Sequence, residues 1–269
     1  MRYRCIALSG GGMRGAAHVG ALRAIQEVQG SLEFPDGIYG SSVGSLVGVF
    51  VAFNVPLETM ITVMKKHFKL SSWVPYPSVS DVWNISQRKG LFSMDMLRKA
   101  LVACFNDCGI KDIETKRICD AVQPLFIVAS NMTTRRPAIL TGEVPLIDAL
   151  LCSCCIPGLF EPQILYGDVY LDGGVYVRSH EQIAPPGSLA IKLYDQKQKI
   201  TKKSSIYEIL HACYIGVPKP RPDVHVCSFK DLNVGIMSEL TDKQCEDLVE
   251  KGYSQTRAFL AKMAAKEGK

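Results

Sequence analysis

The sequence predicts an α/β fold: a single domain with a mostly parallel central sheet flanked by helices. Three observations carry the prediction. Two short apolar runs, Arg4–Leu8 and Gly37–Gly40, are each followed by a helical pattern, giving strand–helix–strand–helix within residues 4–53. Further apolar runs at Leu125–Ala129, Val169–Leu171 and Leu189–Leu193 supply more strands. A length of 269 residues suits one such domain, and 47% hydrophobic with 21% charged residues is an ordinary globular mix.

Each element follows from its residues. Arg4–Leu8 ends in a glycine loop, as a strand feeding a helix should. Arg14–Gln29 places Ala17, Ala21, Leu22, Ile25 and Val28 on one helical face. Val43–Phe53 is apolar or small throughout and reads as a buried helix, far short of the ~20 residues a membrane span needs. Ser71–Leu91 carries Trp73, Pro75, Tyr76, Pro77 and Trp83, and reads as a loop or lid-like insertion. Ser93–Phe105 reads as a helix with Ser93 as N-cap. Four lysines in Lys197–Lys203 mark a solvated loop. Thr241–Ala265 closes the chain as an amphipathic helix, with Leu248, Val249, Tyr253 and Phe259 on its apolar side.

Charge and cysteine usage narrow the classes. Lys+Arg 31 against Asp+Glu 26 gives +5, mild enough for an anionic membrane surface and weak support for nucleic acid. After Met1-Arg2-Tyr3-Arg4 only Cys5–Leu8 is apolar, too short for the core of a secretory signal. The 10 cysteines therefore read as reduced thiols in a cytoplasmic protein. Their spacing offers no two-pair zinc framework, so no metal site is expected.

Three constellations could carry chemistry. Gly10-Gly11-Gly12-Met13-Arg14-Gly15 is a strand-to-helix loop in which backbone N–H groups can face an anion, either a pyrophosphate or a transient oxyanion. Gly40-Ser41-Ser42-Val43-Gly44 fits G-x-S-x-G between a strand and an apolar helix, the setting of a nucleophile elbow; the plainer reading of Ser42 is a helix cap. The spacing from Gly12 to Ser42 suits one βαβ unit, so parallel strands would bring both loops to one sheet edge. A dinucleotide site would need an acid at the end of the second strand. Tyr39-Gly40-Ser41-Ser42 stands there, and Asp36 lies at the other end.

A nucleophilic serine needs a base. An α/β-hydrolase-type esterase would draw it from His211 or His225, late in the chain. His18 reads as a helix-face residue near the glycine loop, and His67, His180, His211 and His225 as loop or surface histidines. The third constellation, Asp172-Gly173-Gly174 after Val169–Leu171, offers a carboxylate instead. Burial would raise its pKa and backbone donors would lower it; the plainer reading is a β-turn.

Together, the three resemble the patatin-like phospholipase family, whose hallmark is a GGGxRG loop, a GxSxG elbow and a later DGG or DGA in that order. Gly15–Gly20, the Ser/Cys-rich stretch Ala149–Phe160 and the segment Leu240–Tyr253 extend the likeness. The resemblance implies a catalytic core over about 5–185 and a strand-and-helix extension over 186–269. It implies a Ser–Asp dyad with Ser42 as nucleophile and Asp172 as base, and oxyanion donors at Gly10, Gly11 and Gly12. Arg14 would brace the loop or meet a phosphate, and Gly15, Gly40, Gly44, Gly173 and Gly174 would support the motifs. It further implies hydrolysis of phospholipid, lysophospholipid or neutral-lipid esters at a membrane surface, with no cofactor and no catalytic metal. Members often show Asn and Pro six and eight residues after the acid. Arg178 and His180 stand there in this chain, which bears on the local loop and on substrate preference.

Overall fold

The computed structural model describes residues 2–177, 180–193 and 221–267. Its first unit is the expected one. Strand β1, Cys5–Leu8, passes through a 3₁₀ turn at Gly12–Gly15 into helix α1, Ala16–Gln29, and returns as β2, Gly37–Ser41. The two strands pair in parallel from Cys5 opposite Gly37 to Leu8 opposite Gly40. All four residues of β1 are buried, as a strand covered on both faces requires.

Around this unit runs an eight-stranded sheet in the order β10-β9-β1-β2-β4-β8-β7, with β5 also on β4. The remaining sheet strands are β4, Leu125–Asn131; β5, Arg136–Leu140; β7, Gln163–Leu165; β8, Asp168–Asp172; β9, Leu189–Lys192; and β10, His225–Ser228. The run from β10 to β4 is parallel. β5 and β8 are antiparallel to β4, and β7 to β8. The fold is therefore α/β with a mostly parallel sheet. Outside it, a small parallel pair joins β3, Gly90–Phe92, to β6, Gly158–Phe160.

Helix α2, Val43–Ala52, is buried along its whole length, as its composition predicts. Helix α3, Leu57–His67, packs on α1 and on α7, Asp95–Asp107, while α8, Leu146–Cys154, packs on β4 and against α2 and α7. The closing helix, Asp242–Glu267, lies along α1 and buries Leu248 and Val249. Its start is fixed by a capping box: Gln244 N–H donates to Thr241 Oγ1 at 3.2 Å, and Thr241 N–H to Gln244 Oε1 at 2.9 Å.

Two expectations are corrected. The Ser71–Leu91 stretch is largely helical rather than a loop. It holds three short helices: α4, Leu70–Trp73; α5, Val79–Trp83; and α6, Ile85–Arg88. The local cause is a second capping box, in which Ser78 Oγ accepts from Asp81 N–H and the Asp81 carboxylate from Ser78 N–H. Helix α7 begins at Asp95 with Met94 at the cap position, although Ser93 Oγ still accepts from Asp95 N–H at 3.4 Å. Lys197–Lys203, His211 and Arg178 lie outside the described residues. Among the described residues no helix is long and apolar enough to cross a membrane.

Candidate active site

The parallel register of β1 and β2 brings the loops after Leu8 and after Ser41 to the same edge of the sheet. At Ser42 the chain turns from strand into helix with φ 52 and ψ −130, a conformation a non-glycine residue adopts at a cost of about 1–3 kcal/mol. The turn is tight enough to dictate its neighbours. A Cβ on Gly44 would stand 2.2 Å from the Leu8 carbonyl oxygen, so only glycine fits there. Gly44→Ala is accordingly expected to cost about 3 kcal/mol, the upper end of overpacking penalties, read as a lower denaturation midpoint at unchanged slope.

The elbow is held from below. Ser42 N–H donates to Ser153 Oγ at 2.8 Å, and the Ser153 hydroxyl donates to the Val128 carbonyl at 2.7 Å. Ser45 Oγ donates to the Ser42 carbonyl at 2.6 Å. The Ser42 side chain is thereby left for chemistry, and its backbone is not. Ser153 lies in the last turn of the apolar helix α8, and nothing in its local sequence marks it as a partner of Ser42.

Asp172 reaches the elbow through the sheet. β5 pairs with Ile127–Asn131 along one side of β4. β2 pairs with Leu125–Val128 and β8 with Ala129–Asn131, so both must occupy the opposite side. β2 runs parallel to β4 and β8 antiparallel, so their carboxyl ends meet head-on. Ser41 stands opposite Val128, and Asp172 opposite the next residue, Ala129. After Asp172 the chain enters a 3₁₀ turn, Gly173–Val175, rather than a hairpin. Asp172 Oδ1 accepts from Gly174 N–H at 2.8 Å, and Ser130 Oγ ties the turn to β4 through Gly173 O and Tyr176 N.

The other carboxylate oxygen, Oδ2, is buried and without a closed hydrogen bond. Burial pushes the Asp172 pKa up to about 6, against the Gly174 amide and the Ser42 hydroxyl, which both lower it. The Ser42 hydroxyl is thus close enough to act on this carboxylate while leaving Oδ2 unsatisfied. Such contacts tighten when substrate arrives. A carboxylate of that pKa is ionised at neutral pH and still basic.

The glycine loop faces the same point. A Cβ on Gly10 would lie 3.2 Å from Ser42 Cβ. Met13 N–H is occupied by the Ile236 carbonyl at 2.9 Å and Arg14 N–H by Gly11 O at 3.2 Å. The amides of Gly10, Gly11 and Gly12 have no acceptor among the described residues. Gly12, at φ +54, also sits where a Cβ would meet the Ile236 carbonyl at 2.2 Å. Arg14 is buried and its Nε donates to the Val234 carbonyl at 2.6 Å, tying the loop to the segment before the closing helix. A Gly15 Cβ would strike Val43, and a Gly173 Cβ the Val128 carbonyl.

Above Ser42 opens a narrow, partly enclosed recess. Its lining is largely apolar, with Met13, Val43, Leu46, Trp73, Val74, Leu97, Cys154, Ile156, Phe160 and Met237 around it. The Cys154 thiol lies near the Ser42 hydroxyl, and burial holds its pKa well above the usual value, so it stays neutral.

The histidines divide. His225 forms a 2.8 Å contact with the Tyr3 hydroxyl and stands opposite Leu189, at the start of β9. Three inter-strand spacings of about 4.8 Å and the length of the strand separate it from Ser42, out of hydrogen-bond reach. His67 is paired with Asp107 at the surface. His180 is a correction: it is buried, 2% exposed, with Nε2 2.9 Å from Ser41 Oγ. His18 is likewise fully buried, with Nε2 2.8 Å from the Ser9 carbonyl. Burial lowers their pKa values to about 3 and about 4, so both are neutral. Next to His180, Lys192 and Glu181 form a buried ion pair at 2.5 Å. Asp36 is bound by Arg4 at 2.8 Å at the amino end of β2, the wrong end for a ribose.

Comparison with known proteins points the same way. The profile described as patatin-like phospholipase matches residues 6–179. A probable lipid hydrolase, 463L of Invertebrate iridescent virus 6, is 29% identical over 209 residues, covering 75% of this chain and 67% of that one. Lysophospholipase NTE1 of Mycosarcoma maydis is 27% identical over 176 residues, covering 63% of this chain. The chain spans only 8% of that protein's length. The crystal structure of VipD from Legionella pneumophila superposes with a TM-score of 0.54 at 14% identity, covering 97% of this chain and 67% of that one, a likeness of fold.

Proposed function

The chain belongs to the patatin-like phospholipase family, and on that premise we propose that it hydrolyses carboxylic esters of phospholipids or lysophospholipids through a Ser42–Asp172 dyad. The observation that carries the reading is the head-on meeting of β2 and β8 on one side of β4. It sets a buried carboxylate with an unsatisfied Oδ2 against the elbow serine, at the foot of an apolar recess.

An acyl chain lies in the recess, where apolar burial contributes ~0.8 kcal/mol per methylene. Asp172 accepts the Ser42 proton as Oγ attacks the ester carbonyl. The amides of Gly10, Gly11 and Gly12 receive the developing oxyanion at no reorganisation cost. Asp172 returns the proton to the departing alcohol, leaving an acyl-serine. Water, deprotonated by Asp172, cleaves that ester and restores the enzyme. The Asp172 carboxylate stays close to the serine at every step, so a third residue is not required. Ser153 and Ser45 keep the elbow backbone still while Oγ moves, and neutral His180 fixes Ser41 beneath it.

The test is fatty-acid release from phosphatidylcholine, lysophosphatidylcholine and triacylglycerol in mixed micelles, beside a soluble short-chain ester. Release from the first two, with the ester also turned over, supports the reading; inertness toward all four substrates overturns it. The pH dependence has a worked sign. The base must be ionised, so kcat for the soluble ester falls as pH drops through the Asp172 pKa of about 6, to about a tenth of its plateau one pH unit below. From about one pH unit above that pKa the profile is flat.

A further inference from the structure

Between Val74 and β3 the chain leaves the recess wall and returns to it. Trp73 and Val74 line the recess, and β3 pairs with β6, whose Phe160 lines it too. The segment between is held as a shaped unit: the Ser78–Asp81 capping box fixes α5, Arg88 Nη1 reaches Asp81 at 3.2 Å, and the same nitrogen donates to the Leu91 carbonyl at 2.8 Å. Yet its large apolar side chains point away from the protein. Tyr76 is 92% exposed, Val79 87%, Trp83 85% and Val82 60%. Scattered exposed apolar residues are ordinary; four within eight positions, on a segment held in place by its own hydrogen bonds, are not.

We propose that residues 76–85 insert into the lipid surface and set the recess mouth against it, so that an acyl ester passes from the bilayer to Ser42 without crossing water. This rests on the lipid-hydrolase reading, since it is the acyl chain that makes continuity with the recess meaningful. Tyr and Trp favour the headgroup level, and the valines the acyl boundary just below. Charge favours a lipid surface over an acidic partner. Asp81 is the single charged residue in 76–85, and it is tied to Ser78 and Arg88. Lys65, Lys66 and Lys69 are matched by Glu246, Asp107 and Asp242. Lys89, just past the segment, is exposed and has no ion pair among the described residues. Attachment is therefore chiefly apolar, with one cation beside it, and salt weakens it little.

The experiment is co-sedimentation with pure phosphatidylcholine vesicles at low and high salt, in a Ser42→Ala background so that the lipid is not consumed. The double substitution Val79→Ser with Trp83→Ala lowers the partition coefficient at least tenfold at both salts. Trp83→Phe keeps binding but loses the blue shift and the quenching by brominated acyl chains that Trp83 gives on vesicle addition. With Ser42 restored, the double variant still turns over the soluble short-chain ester, because none of 76–85 lines the recess. Unchanged partitioning of the double variant overturns the proposal. So does Trp83 emission that stays open to aqueous iodide in the bound state, or a dimer that the double variant dissociates without losing vesicle binding. Binding is read without turnover, so a protein that binds vesicles through this patch but cleaves no ester counts against the hydrolase reading alone.

Discussion

Ser42→Ala abolishes covalent labelling by a fluorophosphonate and lowers ester turnover by ~10⁴-fold or more, the usual scale for losing an activated serine. The label on the wild-type protein maps to the peptide holding Ser42. Ser41 and Ser45 are built-in controls, because both hydroxyls are buried and engaged, Ser41 with His180 and Ser45 with the Ser42 carbonyl. Labelling that survives on either would show that the strained turn at Ser42 presents the wrong hydroxyl.

Asp172→Asn lowers kcat by ~10²–10⁴-fold, the worth of a positioned general base, while KM for a soluble ester changes little because Asp172 is buried beneath the recess. Alanine at His67, His211 or His225 leaves kcat within about tenfold, a barrier change of ~1.4 kcal/mol. His180 is set aside because it holds Ser41. A dead, folded His211→Ala beside a working Asp172→Asn would transfer the base to histidine. The same variant carries a second, opposite expectation. A carboxylic acid whose folded pKa is raised is destabilising once ionised, so the wild type carries that penalty above pH 6 and sheds it as pH falls toward the unfolded value of 3.8. The amide is isosteric and carries no charge, and its oxygen can still accept from Gly174 N–H. Asp172→Asn should therefore be more stable than the wild type at pH 8 by up to about 3 kcal/mol, with the gap closing below pH 6. Chemical denaturation of both proteins across that range measures it. A catalytic group kept at the expense of stability behaves this way; a carboxylate serving the fold would show the reverse.

The features that depend on neighbours in sequence are legible in the sequence itself. The β1–α1–β2 unit, the apolar helix α2, the glycine loop and the elbow are all written in runs of residues that settle their own conformation. Gly40 and Gly44 announce a turn that nothing larger could make, and parallel pairing of the flanking strands then follows from the size of the connection. The closing helix is equally plain, since Leu248, Val249, Tyr253 and Phe259 share its apolar side and Thr241 caps it.

Where the sequence was misread, the deciding contact was short-range but competed with a stronger-looking cue. Prolines 75 and 77 and the aromatics suggested a loop over Ser71–Leu91, whereas the Ser78–Asp81 box is sufficient to start a helix directly after them. His180 looked like a surface residue because its neighbours are polar. It is buried because the 3₁₀ turn His180–Gln182 packs against β9 and β1, within reach of Ser41 as a partner.

By itself, then, the sequence determined the α/β class, the mostly parallel sheet and the two loops that meet at its carboxyl edge, because backbone sterics and apolar periodicity act over a few residues. The residues alone left Asp172, His211 and His225 open as partners of Ser42, and only the family resemblance named Asp172; its physical placement there is decided by the tertiary structure. Asp172 arrives there because β5 fills one side of β4 and leaves β2 and β8 to share the other, ending against each other. Ser153 is brought in by α8 packing on β4 and His180 by its turn packing on β9 and β1, and the burial that lifts the Asp172 pKa is likewise long-range. No local pattern encodes these contacts, since each depends on which sheet positions the rest of the chain has already occupied.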